Sequence, residues 1–178
     1  MKYRVSRLFL FLLLALSQKA VSETTALSYE GTLISLACMV DDSSPVAVNL
    51  GLIEDKRLYL HQDSEPTLFS LTLKDCDPSL ANGVNVTLEA LPGGETEDGY
   101  LLLDSGSVAS GAVIGIKDSR TGGTRIPLGS TLPKQPIATG TMTIPLFAYL
   151  HITPEALQER AVVPGAFTAT LYYKINFE

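Results

Sequence analysis

Two cysteines, two histidines and one acidic run are the residues of this chain whose types and spacing could do chemistry. Cys38 and Cys76 stand too far apart in sequence for a CxxC redox pair, and His61 and His151 do not sit at metal-ligand spacing with them. The even cysteine count, behind the export signal described below, reads as one structural disulfide; two free buried thiols are the alternative. Closing a loop of this length stabilises by about 4 kcal/mol in the chain-entropy model. Glu95-Thr-Glu97-Asp98 could hold an ion but reads better as a solvated loop. Gly106-Ser-Val-Ala-Ser-Gly111 misses the nucleophile-elbow spacing and reads as a loop, and Asn85-Val-Thr87 fits a three-residue glycosylation sequon. The chain carries no GxSxG, HExxH, phosphate-binding loop, dinucleotide GxGxxG or EF-hand pattern. These residues predict a protein that is not an enzyme and that takes no metal, cofactor or small-molecule substrate.

The positioning elements begin after an export signal. Lys2, Arg4 and Arg7 precede an unbroken apolar run from Leu8 to Leu16, and Ala20-Val21-Ser22 offers small residues for cleavage before Glu23. The run is far shorter than the ~18 residues needed to span a bilayer, so a membrane anchor is the weaker reading. Four of the 13 basic residues lie in this signal, leaving 9 against 19 acidic ones, a net charge of −10 for the remaining 156 residues. That balance argues against nucleic acid as a partner and suits a basic one.

The rest of the chain reads as short strands between turn signals. Tyr29 to Val40 is the first strand region, and Asp41-Asp-Ser-Ser-Pro45 is a turn cluster. Val46, Val48 and Leu50 alternate with small or polar residues. Phe69, Leu71 and Leu73 share one face of a strand running into Cys76, and Val84, Val86 and Leu88 begin another. Ala112 to Lys117 and Thr141 to Leu150 are further strands, with Pro145 suggesting an edge or a bulge in the second. The one good helix start is Thr153-Pro154-Glu155, with an N-cap Thr and Pro at the first helical position; Pro164-Gly165 limits it to a turn or two. Strands at such spacing with so little helix predict one all-β sandwich domain.

The segment from Gly165 to Glu178 carries the strongest pattern. Phe167, Ala169, Leu171, Tyr173, Ile175 and Phe177 are apolar at every second position, so a strand would turn all six to one face. As the last segment of the sequence it is expected to leave an apolar edge uncovered, and such an edge recruits another chain.

These pieces together resemble the pilin subunits of chaperone–usher fimbriae of Gram-negative bacteria. The resemblance rests on Tyr29-x-Gly31 shortly before Cys38, Phe69-x-Leu71-x-Leu73-x-x-Cys76, Ile114-Gly-Ile116-Lys-Asp118, Phe147-x-Tyr149, and the last segment with Gly165 and the penultimate aromatic Phe177. The family more often has Tyr at the penultimate position; Phe177 keeps the bulk and lacks the hydroxyl. Pro154-Glu-Ala-Leu157 followed by Val162-Val-Pro-Gly165, with a short segment before Cys38, is most similar to the minor adaptor subunits of P-type pilus tips.

The resemblance implies an incomplete immunoglobulin-like β-sandwich lacking its final strand. A periplasmic chaperone would lend a strand that pairs with Gly165, Phe167, Ala169, Leu171, Tyr173, Ile175 and Phe177, its basic residues holding the Glu178 carboxylate. An outer-membrane usher would then exchange that strand for the N-terminal extension of a neighbouring subunit. In this chain the extension would be residues 23–33, with Thr25, Leu27, Tyr29, Gly31 and Leu33 on one face. The implied organisation is a signal peptide at 1–22, the extension at 23–33 and a pilin domain at 34–178, exported through the periplasm to a fimbrium on the cell surface, where it contributes to cell adhesion. The alternatives are a major rod subunit, or a secreted sandwich that itself binds a sugar or host ligand.

Overall fold

The computed structural model describes residues 25–40 and 46–178. The expected signal peptide and the turn cluster at 41–45 lie outside the described residues. The chain divides into two units, residues 1–34 and Ser35–Glu178. In the first, the described residues Thr25–Ile34 carry no helix or strand and their side chains are exposed.

Period-two alternation organises the second unit. Its elements in chain order are β1 (Met39–Val40), α1 (Asp55–His61), β2 (Thr67–Cys76), β3 (Gly83–Glu89), β4 (Ala112–Lys117), β5 (Gln135–Pro136), β6 (Gly140–Ile152), α2 (Pro154–Glu159) and β7 (Tyr172–Phe177). They form a four-stranded sheet in the order β1-β2-β6-β4 and a three-stranded sheet in the order β5-β3-β7, with every pairing antiparallel. β3 alternates as its sequence does: Val84, Val86 and Leu88 are at most 1 % exposed, while Asn85 and Thr87 are half-buried. The four-stranded sheet contributes Leu71, Leu73, Leu146 and Ile152 to the same core. Burying each such side chain stabilises by roughly 1.5–3 kcal/mol.

Cys38 and Cys76 are disulfide-bonded, with Cα atoms 4.0 Å apart. The bond ties the residue before β1 to the end of β2. The β2–β6 register shifts between Leu73 and Cys76, and Asp75 there takes a left-handed φ of 50°.

Pro145 sits in β6 opposite Ser70 of β2, whereas β4 pairs only with residues 147–152 of β6. The proline therefore occupies a stretch flanked by β2 alone, so its missing N–H leaves no gap in the β4 ladder.

Near the start of the domain, two elements differ from the sequence expectation. The first strand is only Met39–Val40 rather than Tyr29 to Val40, because the end of β2 offers it just two paired positions, Lys74 and Leu73. The helix α1 was not foreseen: it spans barely two turns and buries only Leu58, too little periodicity to stand out. α2 matches its start signals, since the Thr153 hydroxyl accepts the Ala156 N–H at 3.2 Å and Pro154 opens the helix.

Candidate functional site

An apolar groove of about 970 Å³ opens between the two sheets of the second unit. One wall is residues 46–52 and the other is residues 165–173. Its floor includes Phe69 and Leu71 of β2, Leu88 of β3, Ile114 and Ile116 of β4, and Ala148 of β6. Apart from the half-buried Phe69 these floor residues are buried, whereas the walls are not. Phe167, Ala169, Leu171, Tyr173, Ile175 and Phe177 are all half-buried and pack against the core, while Thr168, Thr170, Tyr172, Lys174 and Asn176 between them are exposed. On the facing wall Val48 and Leu50 are half-buried and Val46, Ala47 and Asn49 exposed.

The backbone of the 165–178 wall is satisfied on one side only. Glu178 exchanges hydrogen bonds with Gly83 at 2.9 and 3.0 Å. Alternation along an antiparallel ladder then directs Asn176, Lys174 and Tyr172 towards β3, and Phe177, Ile175 and Tyr173 away from it. Upstream, Ala166, Thr168 and Thr170 turn their backbone groups to the loop at 104–109. The N–H and C=O groups of Phe167, Ala169 and Leu171 have no partner among the described residues, nor do the backbone groups of residues 46–50. The groove is therefore bordered by two unpaired backbone edges above an apolar floor. One extended segment between them could bond both edges and place alternate side chains on the floor.

Gly165 begins this wall for a steric reason. A Cβ there would lie 2.6 Å from Val108 Cγ1 and 3.0 Å from the Ala109 nitrogen. Regular β7 begins only at Tyr172, so the strand pattern read from Gly165 onward divides into an extended stretch held by a loop and a true ladder against β3. The backbone oxygen of Glu178 also accepts the Asn82 N–H at 2.7 Å, and its side-chain carboxylate lies 3.8 Å from Lys134 Nζ. Thr25, Leu27, Tyr29, Gly31 and Leu33 lie in the first unit, exposed and without regular structure.

The residues weighed for chemistry are not brought together. His61 ends α1, whereas His151 in β6 hydrogen-bonds Asp63 at 2.7 Å and stacks on Tyr100 with centroids 4.7 Å apart. Glu95, Glu97 and Asp98 are exposed in a loop, and among the described residues no group of three or more His, Cys, Asp or Glu is placed to hold a metal ion. Asn85 sits inside β3 between β5 and β7, opposite Asn176, and Thr87 shares its hydroxyl with Thr131 at 2.9 Å. Sequence reasoning missed the wall at 46–52 as part of the site, although the Val46, Val48, Leu50 alternation was its signal. It also missed Asp104 and Ser107, which no local pattern distinguishes.

An all-β sandwich with an open apolar groove flanked by unpartnered backbone offers a place for an added strand. The model of the family described as fimbrial protein matches residues 27–178, and the chain belongs to that family. It is 29% identical over 152 residues to the Fimbria A protein of Serratia marcescens, covering 85% of this chain and 83% of that one. It is 28% identical over 171 residues to the Fimbrial subunit type 1 of Klebsiella pneumoniae, covering 91% of each. Among solved structures, the P pilus rod subunit PapA matches with a TM-score of 0.64 at 16% identity, covering 80% of this chain and 100% of that one. The fold is thus the immunoglobulin-like sandwich of pilins, and the protein is a structural fimbrial subunit rather than an enzyme.

Proposed function

We propose that this subunit is assembled by strand addition into the groove between residues 46–52 and 165–173. A periplasmic chaperone lends the first strand, pairing along Gly165, Phe167, Ala169, Leu171, Tyr173, Ile175 and Phe177, and its basic residues engage the Glu178 carboxylate. At an outer-membrane usher that strand is exchanged for the N-terminal extension of a neighbouring subunit. This chain's own extension, residues 23–33, enters the groove of another subunit with Thr25, Leu27, Tyr29, Gly31 and Leu33 facing inward. The signal at 1–22 delivers the chain to the periplasm, and the finished fibre stands on the cell surface. The observation that carries this reading is the groove itself, with half-buried alternate side chains and unpaired backbone on both walls.

Within the fibre we assign it a minor, adaptor position, on the Pro154-Glu-Ala-Leu157 and Val162-Val-Pro-Gly165 segments. The rod position is the second reading, supported by likeness to a protein described as a rod subunit. Deleting the gene from its host separates the two: an adaptor's loss leaves rods on the cell, and a rod subunit's loss removes them.

The groove is tested by exporting the chain with and without the chaperone of its own fimbrial system. The expected outcome is aggregation or proteolysis alone and a soluble one-to-one complex with the chaperone. A stable, soluble monomer that binds neither chaperone nor donor peptide would sink the reading.

A further inference from the structure

The stretch 166–170 is held extended without a neighbouring strand. β3 reaches only residues 172–177, so the ladder stops before it. The loop Asp104-Ser-Gly-Ser107 and the two residues after it stand in the place of that strand. Asp104 N–H donates to the Thr168 carbonyl at 2.8 Å, and Val108 N–H to the Ala166 carbonyl at 2.8 Å. The Ser107 hydroxyl both accepts the Thr168 N–H and donates to the Thr168 carbonyl, each at 3.1 Å. The Asp104 carboxylate takes the Thr170 N–H on one oxygen at 3.2 Å and the Thr170 hydroxyl on the other at 3.1 Å. The loop is itself closed by Ser107 N–H donating to the Asp104 carbonyl at 2.9 Å.

Every bond from the loop to the wall goes to an even-numbered residue: Ala166, Thr168 or Thr170. The odd-numbered residues, whose backbone groups border the groove, are left for an incoming strand. Docking onto an edge already fixed avoids the entropy of ordering it during capture, which is the general advantage of pre-organisation. We propose that Asp104 and Ser107 are positioning residues that serve as a surrogate strand, holding 166–170 as a ready groove wall before any partner arrives and so setting the rate of strand capture. This rests on the strand-addition reading above. It concerns the loop that shapes the wall, not the residues that would touch the incoming strand.

The test uses the signal-free chain refolded from denaturant at high dilution, which avoids aggregation, and a labelled synthetic peptide of its residues 23–33 as donor strand. Hydrogen exchange is followed at the amides of Thr168 and Thr170, with Lys174 and Asn176 as internal controls. In the Asp104→Ala/Ser107→Ala variant, exchange at Thr168 and Thr170 is expected to quicken by about tenfold while Lys174 and Asn176 keep their protection. Peptide association is expected to slow by a similar factor, about tenfold, as the competent fraction falls. Unchanged exchange at Thr168 and Thr170 overturns the proposal, and so does faster exchange with unaltered peptide association. Should the double variant fail to fold, Thr170→Val removes only the hydroxyl bond to Asp104, and faster exchange confined to Thr170 with slower peptide association supports the same conclusion. A peptide that binds neither wild type nor variant counts against strand addition itself, and exchange at Thr168 and Thr170 then judges the loop alone.

Discussion

Tyr149 shows how this sandwich uses a polar aromatic on its outer layer. It lies in β6, 5 % exposed, with Lys117 Nζ 5.1 Å from its ring centroid. Gly115 faces it from β4, the register partner in that sheet, and has no side chain to displace the ring. Burial is the main cause that pushes the Tyr149 phenol well above its ordinary range; Tyr100 and the Asp63 carboxylate push it further, and Arg125 opposes them weakly. A folded-state pKa raised above the ordinary value of about 10 means that the native state holds this proton more tightly than the unfolded chain. The associated stability is complete below about pH 10 and is lost as pH rises towards the folded value. Urea unfolding at rising pH should therefore show wild type losing stability above about pH 10 more steeply than Tyr149→Phe, which has no phenol to titrate. Parallel curves for the two proteins would contradict this account.

At the scale of elements, the disulfide and the groove wall solve different problems. β1 is two residues long, so its two paired positions cannot hold the start of the domain in place. The Cys38–Cys76 bond supplies the constraint, closing a loop of sequence separation 38. The double variant Cys38→Ser/Cys76→Ser is expected to lose about 4 kcal/mol, read as a lower urea midpoint, with a larger loss of yield in the periplasm than in the refolded protein. The 165–178 wall instead divides its labour, with β3 fixing residues 172–177 and the 104–109 loop fixing residues 166–170. Both supports bind the same backbone side. That shared parity is what leaves a continuous set of donors and acceptors along the groove.

At the scale of the whole molecule, the two units carry complementary halves of one interaction under the proposed function. The second unit offers a groove, and the first carries an exposed alternating segment, with Leu27 76%, Tyr29 87% and Leu33 101% exposed. Removing Glu23 to Ser28 should leave chaperone binding intact, because the acceptor groove is untouched, and should block incorporation into the fibre. The measurement is co-purification with the chaperone beside the amount of subunit in sheared fimbriae. Normal incorporation of the truncated chain would refute the donor role of the extension.

The sequence by itself determined which residues alternate and which cysteines were available to pair. Side-chain direction in a strand is a local, period-two property, so the faces of β2, β3 and the 165–178 segment were legible, as was the Thr153 cap, which needs only neighbours in the chain. The tertiary structure alone decided what each face and edge meets. Residues 46–52 became a groove wall because the opposing sheet leaves a gap beside them, and β7 began at Tyr172 because β3 extends no further than Glu89. Asp104 and Ser107 acquired their side-chain partners 66 and 61 positions away in sequence. Hydrogen bonds between distant backbones leave no periodic trace in the sequence, and so the open edge at Gly165 to Glu178 could be read in advance as apolar and alternating but not as half supported by a loop.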